Sequence, residues 1–303
     1  MTKHYSAITC ILYLIFPVLF FSGLPDDFAD AAAMHEHKKT AEHSMHEHSV
    51  KATEVLVDLE TRPAELVAGT RATLLFTIKD IDGKPMQDLT ITHERLVHVM
   101  IIGADFSVFA HIHPDDLGPI TPEMKKTAEF PVRYDFPKAG QYLIALDSAV
   151  KDVPFSEHLT LDVSGTPEMG GLKRDFSREK QFGDYRVSLS PSDSRITHGK
   201  KIVLTYTINK GKEPLKDLVP YLSAPMHLAI ISADLVNFIH AHGEVPGTMS
   251  GGHHDHAHMS VPDKFGPDIT AQIVFPSKGI YQIFSEIKHQ GKVIPLSFMV
   301  EVE

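Results

Sequence analysis

The chain has 303 residues, 43% of them hydrophobic, with 29 basic against 39 acidic side chains and a formal net charge of -10. That length suits two modest globular cores, and the acidic balance argues against a nucleic-acid partner or an anionic membrane surface. The single cysteine, Cys10, lies in an apolar run near the N-terminus, so thiolate zinc, Cys-based blue copper and thiol catalysis are excluded from the body of the chain.

Residues 1–33 read as a secretory signal. Lys3 and His4 precede an apolar run from Ile8 to Leu24, and Ala31, Ala32 and Ala33 offer a cleavage site. The expected destination is the periplasm or the exterior, with membrane attachment only if the run persists as an uncleaved anchor. Residues 34–52 carry Met-His-Glu-His twice, at Met34–His37 and Met45–His48, without apolar periodicity, and are expected to form a disordered His-rich tail.

From residue 53 the pattern becomes one of short β-branched and aromatic runs broken by Gly, Pro and Asp, which is an all-β rhythm. The chain then repeats itself. Gly69–Ile78 aligns with Gly199–Ile208, and residues 96–115 (LVHVMIIGADFSVFAHIHPD) align without gaps with residues 225–244 (PMHLAIISADLVNFIHAHGE). Phe136, Pro137, Gly140 and Tyr142 then match Phe275, Pro276, Gly279 and Tyr281, after ten extra residues in the second copy. In the first copy strands are expected near 54–60, 71–79, 88–93, 97–102, 107–113, 127–135, 140–149 and 156–163, with no competing helical period. The predicted architecture is two tandem immunoglobulin-like β-sandwiches, 53–164 and 185–303, joined by a linker at 165–184, with a His-rich loop at 243–262 in the second.

Twenty histidines are roughly three times ordinary usage, and most are clustered. Val97–Ile102 and Ser107–His113 read as two strands of a hairpin turning at Gly103–Phe106. A loop of even length centred on Ala104-Asp105 would set His98 opposite His111 and Met100 opposite Phe109, with His113 on the same face. The same arithmetic brings together His227, His240 and His242. A one-residue slip would turn the leading histidine to the other face. Three converging imidazoles suit Cu(II), Zn(II) or Ni(II), and the 11 methionines favour copper. His93 or Glu94 in the first repeat and Met226 or His289 in the second are candidate fourth ligands. Metal affinity is expected to fall as pH drops through about 6.5, where a free imidazole takes up its proton. Accessory metal capture is assigned to His35, His37, His46 and His48 of the tail and to His253, His254, His256 and His258 of the inserted loop. Met100 and Phe109 are expected to fill core, and Asp105 and Asp234 to cap the turns.

The segments HVMIIGADFSVFAHIHPDD and HLAIISADLVNFIHAHGE resemble a bacterial family of exported immunoglobulin-like domains related to the YtkA-like group, in which a His-rich hairpin of this kind recurs. The resemblance implies an exported β-sandwich with a heavy-metal or copper-handling role. Gly243 and Glu244 stand where the first repeat has Pro114 and Asp115, which predicts a looser second site.

The leading expectation is therefore a non-catalytic protein that buffers, carries or senses a transition metal, with the ion itself and a metal-transport or envelope protein as partners. The alternative is an envelope interaction or adhesion module with incidental histidines. An enzyme is not expected: Glu94, the nearest candidate base, aligns with Ser223.

Overall fold

The computed structural model describes residues 4–8, as backbone only, together with 55–166, 172–247 and 261–303. The tail and the 253–258 tract, with the accessory histidines assigned to them, lie outside the described residues. Two β-sandwiches follow one another along the chain. The first is built from β1 (His4–Ile8), β2 (Val55–Arg62), β3 (Arg71–Asp80), β4 (Leu89–Thr90), β5 (His98–Gly103), β6 (Phe109–Ile112), β7 (Glu129–Asp135), β8 (Gly140–Val150) and β9 (Val153–Val163). One sheet runs β1-β2-β3-β7, and the other runs β9-β8-β5-β6 with β4 paired to the end of β8.

The second sandwich repeats the plan with β10 (Glu179–Phe182), β11 (Tyr185–Pro191), β12 (Lys201–Lys210), β13 (Glu213–Pro214), β14 (His227–Ser232), β15 (Phe238–His242), β16 (Asp268–Val274), β17 (Gly279–His289) and β18 (Lys292–Val302). Its sheets run β10-β11-β12-β16, with β13 on β12, and β15-β14-β17-β18. β10 falls in the stretch expected to be linker and adds an edge strand to β11.

Strict alternation places one face of each outer sheet inside. Val55, Val57 and Leu59 of β2 and Leu74, Phe76 and Ile78 of β3 are buried against β5 and β8, and Leu204, Tyr206 and Ile208 of β12 do the same in the second repeat. Each such side chain contributes about 1.5–3 kcal/mol by leaving water.

The inner sheets behave differently. Every residue of β5 (HVMIIG) and β14 (HLAIIS) is buried, because both faces of these strands are covered. The second covering is the other repeat. Met100, Ile102, Leu143 and Ala145 pack with Ala229, Ile231, Phe284 and Met299 in a third apolar cluster, and the rings of Phe109 and Phe284 stack at 4.6 Å. The two sandwiches thus meet through the sheets that carry the histidines. Met100 and Phe109 fill this inter-repeat core.

Three expected elements differ in detail. The strand near 88–93 is only Leu89–Thr90, because the chain turns at Thr92–Arg95 with His93 and Glu94 both at positive φ. The strand near 107–113 begins at Phe109, since Ser107 is held in the turn by Asp105 Oδ1. A short helix, α1 (Pro122–Thr127), interrupts the all-strand expectation. Thr121 accepts the Met124 N–H, Pro122 begins the helix, and its six residues are too few to show a period.

Candidate metal centre

Hairpin register decides where the histidines go. In the first repeat Met100 pairs with His111 and Ile102 with Phe109, so His98 comes opposite His113 rather than His111. In the second, His227 pairs directly with His242 and Ala229 with His240. The cause is a turn centred one residue later than expected. Phe106 and Leu235 adopt left-handed φ of 60° each, and their N–H groups bond back to Gly103 and Ser232. Asp105 and Asp234 cap these turns, accepting the N–H of Ser107 and Val236. The correction moves each partner by two residues, so the faces are preserved and each triad stays on one face.

The triads do not line a solvent rim: His98 is 1% exposed, and His113 and His227 are 2%. Protons on the rings follow from their outer partners. His98 Nε2 donates to the Thr92 carbonyl at 3.0 Å, and His227 Nε2 to the aligned Tyr221 carbonyl at 2.9 Å. A carbonyl only accepts, so Nε2 holds the proton and Nδ1 keeps its lone pair. His111 Nδ1 faces Glu286 Oε2 at 2.8 Å, and His240 Nδ1 faces Asp147 Oδ2 at 2.5 Å. In the neutral rings these contacts put the proton on Nδ1 and leave both Nε2 atoms as lone pairs. His113 Nδ1 faces Asp116 Oδ2 at 3.3 Å with the same result.

In the first repeat three lone-pair nitrogens converge. His98 Nδ1 lies 3.1 Å from His111 Nε2 and 3.2 Å from His113 Nε2. Neutral rings with these tautomers have no proton to share across such contacts, so the cluster is electrostatically incomplete by itself. Nitrogen ligands around a tetrahedral Zn(II)-like ion stand about 3.3 Å apart, which this spacing matches. In the second repeat the equivalent atoms, His227 Nδ1, His240 Nε2 and His242 Nε2, are buried without a hydrogen-bond partner among the described residues. The first set fits a transition-metal ion as it stands, whereas in the second repeat the close group is His227 and His242 with His93, and His240 lies outside it; the outer hydrogen bonds are those that orient a ligating imidazole.

Burial sets the electrostatics. It pushes the His98 imidazole down to about 3 and His113 to about 2, with neighbouring His111 adding to both. Burial likewise holds His227 and His242 well below the ordinary imidazole range, with His240 contributing to each. Proton uptake by these rings, expected at about 6.5 from the sequence, is thereby moved to lower pH. Burial works to raise the Asp147 carboxyl, but the hydrogen bonds it accepts from His240 and Ser156 help to outweigh it and keep its pKa below the usual carboxylate value.

The two outer carboxylates went unrecognised in the sequence, and they are crossed: each comes from the repeat opposite its histidine. Their signal was present, since Asp147 and Glu286 align and stand as lone acids in the apolar strands β8 and β17. A repeated acid pair therefore does exist at the site, and it orients imidazoles. Glu94 accepts the Ser223 hydroxyl at 2.6 Å, its own aligned position, across the repeat boundary. Of the other fourth-ligand candidates, Met226 is buried in the second core, and His289 spends its nitrogens on Tyr185 at 2.9 Å and Asp217 at 3.1 Å. His93 does not join the first-repeat triad but stacks on His242 at 3.7 Å.

The second triad is the looser one, since the close group of nitrogens there is His93, His227 and His242 without His240, but Gly243 itself is tightly packed. A Cβ there would fall 2.5 Å from Ile269 Cγ2 and 2.9 Å from Met226 Cβ, so glycine permits a close approach beside His242. Gly243→Ala is expected to cost about 1–3 kcal/mol of stability, as overpacking does, read as a fall in the denaturant midpoint.

Fold and site together define a tandem immunoglobulin-like β-sandwich protein with a buried histidine cluster at the junction of its repeats. The chain belongs to the family described as Domain of unknown function (DUF8832), whose model matches residues 48–165 and again 180–303. No curated protein matches the sequence. Among solved structures it is similar to the Yersinia pseudotuberculosis adhesin InvE, at 11% identity over 79% of this chain and 57% of that one, with a TM-score of 0.21. It is similar also to the Escherichia coli adhesin FdeC, at 12% identity over 79% of this chain and 61% of that one, with a TM-score of 0.21. Domains 4 and 5 of the S-layer protein SbsC align at 10% identity over 83% of this chain and 94% of that one, with a TM-score of 0.21. The chain thus spans 57% and 61% of the two adhesin chains. These likenesses carry no statement about function.

Proposed function

We propose that this is an exported metal-binding protein whose two histidine triads each hold a transition-metal ion, copper in preference to zinc or nickel, for buffering, carriage or sensing. The observation that carries this reading is the convergence of three imidazole nitrogens in the first repeat, with the equivalent nitrogens of the second buried and unpartnered among the described residues. Imidazole suits all three metals, and Met100, which borders the gap between His111, His227 and His240, adds a thioether next to the cluster. When bound, the ion would supply the positive charge that the facing lone pairs and the two carboxylates lack. Export rests on the N-terminal signal-like sequence, whose cleavage would remove the edge strand β1 and leave the histidine-bearing sheets untouched, and the resemblance of both hairpins to exported YtkA-like domains agrees with it.

The test is metal content. Chains lacking residues 34–52 are expected to bind two ions by elemental analysis after dialysis. Replacing His98, His111 and His113 with Ala should remove one ion, and replacing His227, His240 and His242 the other. Unaltered metal content in both variants would instead favour the second reading, an envelope interaction or adhesion module, for which tandem sandwiches are commonly used.

A further inference from the structure

The two centres are built alike except at one position, and the difference lies at the tip of a turn. In each repeat a two-residue turn precedes the first histidine: His93-Glu94 between Thr92 and Arg95, and Leu222-Ser223 between Tyr221 and Ala224. All four turn residues have positive φ, at 48° and 67° in the first and 47° and 59° in the second. The two tips interlock across the repeat boundary. Ser223 donates to Glu94, and the His93 ring hydrogen-bonds the Leu222 backbone. This carries the His93 imidazole out of its own sandwich and into the other one.

There it stacks on His242 at 3.7 Å and meets His227 edge-on at 5.5 Å. One nitrogen of each of His93, His227 and His242 lies within 4.8 Å of the others. The aligned residue in the second repeat, Leu222, offers no ligand atom to the first triad.

We infer that His93 is the fourth ligand of the second-repeat centre. With His240, which lies outside that close group, drawn in by the ion, the centre becomes a closed, four-imidazole site spanning both repeats, while the first-repeat centre stays a three-imidazole site with an open position. Ligation requires the stacked pair to tilt, because two rings in face contact cannot both aim an in-plane nitrogen at one ion. The chemistry of the two sites then differs. Four protein ligands are the mark of a holding site, and three with an opening are the mark of a site that exchanges or presents its ion. The inference rests on the metal-binding reading proposed above.

The test uses the full chain with Zn(II) alone, titrated against a competing chelator, and with Cu(II) alone, read by the nitrogen count in its electron paramagnetic resonance spectrum. The wild-type chain should show two classes of bound ion separated by about tenfold or more in affinity. His93→Ala should weaken only the tighter class, bringing it level with the other, while two ions still bind. Leu222→His should do the reverse, strengthening the weaker class by a comparable factor, and this variant guards against a His93 effect caused by misfolding. Equal affinities in the wild-type chain, or affinities unchanged in both variants, would overturn the inference and leave the two-triad reading intact. A wild-type chain that binds no ion overturns both.

Discussion

Acidification of the metal-free protein from about pH 6.5 to about pH 4 is expected to cost it several kcal/mol of stability, enough to bring it near unfolding. An unfolded chain gives its imidazoles an ordinary pKa of 6.5, whereas burial takes folded His98 down to about 3 and folded His113 to about 2. The same cause lowers His227 and His242. Between those limits the unfolded state binds more protons than the folded one. Stability is therefore full above 6.5 and drains away as the pH falls toward the folded values. Each fully linked imidazole costs about 1.4 kcal/mol per pH unit, and clustered rings act together. Asp147, held ionised in the fold, pulls the same way at lower pH. Denaturant titrations at pH 7, 6, 5 and 4 check this. A bound ion needs the lone-pair form, so metal-loaded protein should keep its midpoint to lower pH. Equal midpoints at pH 7 and pH 5 without metal would show that the rings are not buried as described.

Glu286→Gln is expected to weaken metal binding about tenfold or more at the first-repeat centre and to leave the second unchanged, while Asp147→Asn does the opposite. The effect crosses because Glu286 sits in β17 but orients His111, and Asp147 sits in β8 but orients His240. Each amide keeps the shape and an acceptor oxygen, so the hydrogen bond can survive while the charge that makes the imidazole a stronger donor to the ion is lost. Titrating each variant alongside the matching triad knockout assigns the lost affinity to a site. If each carboxylate instead governs the triad of its own repeat, the paired-sheet arrangement is wrong.

Much of this was legible in the residues. Alternation in VLVDLET and RATLLFTI marked half-buried strands, and the repeat itself announced two domains of one kind. Face assignment survived an error of pairing, since moving His98 from opposite His111 to opposite His113 leaves the parity unchanged. The turn centre was not readable because it depends on Phe106 and Leu235 taking a left-handed conformation that bulky side chains rarely adopt. The packing of one repeat on the other has a sequence signature. HVMIIG and HLAIIS lack polar alternation, which is what burial on both faces produces. Burial on both faces also singles out Asp147, because a buried carboxylate needs a partner and β8 holds no basic residue. The interlocked tips at His93 and Leu222 had no sequence signal, since they exist only after the repeats dock.

The crossed pairs obey a rule of reciprocity: position 111 meets 286 as 240 meets 147, so the junction is isologous although it lies within one chain. A free-standing repeat would already carry both halves of that contact, and two copies could build the same compartment only by finding each other in solution. Tethering them converts a concentration-dependent encounter into an intramolecular closure, which a short linker favours at any dilution. Once joined, the halves were also free to diverge, and a histidine in one tip facing a leucine in the other is a difference that two identical copies could not maintain.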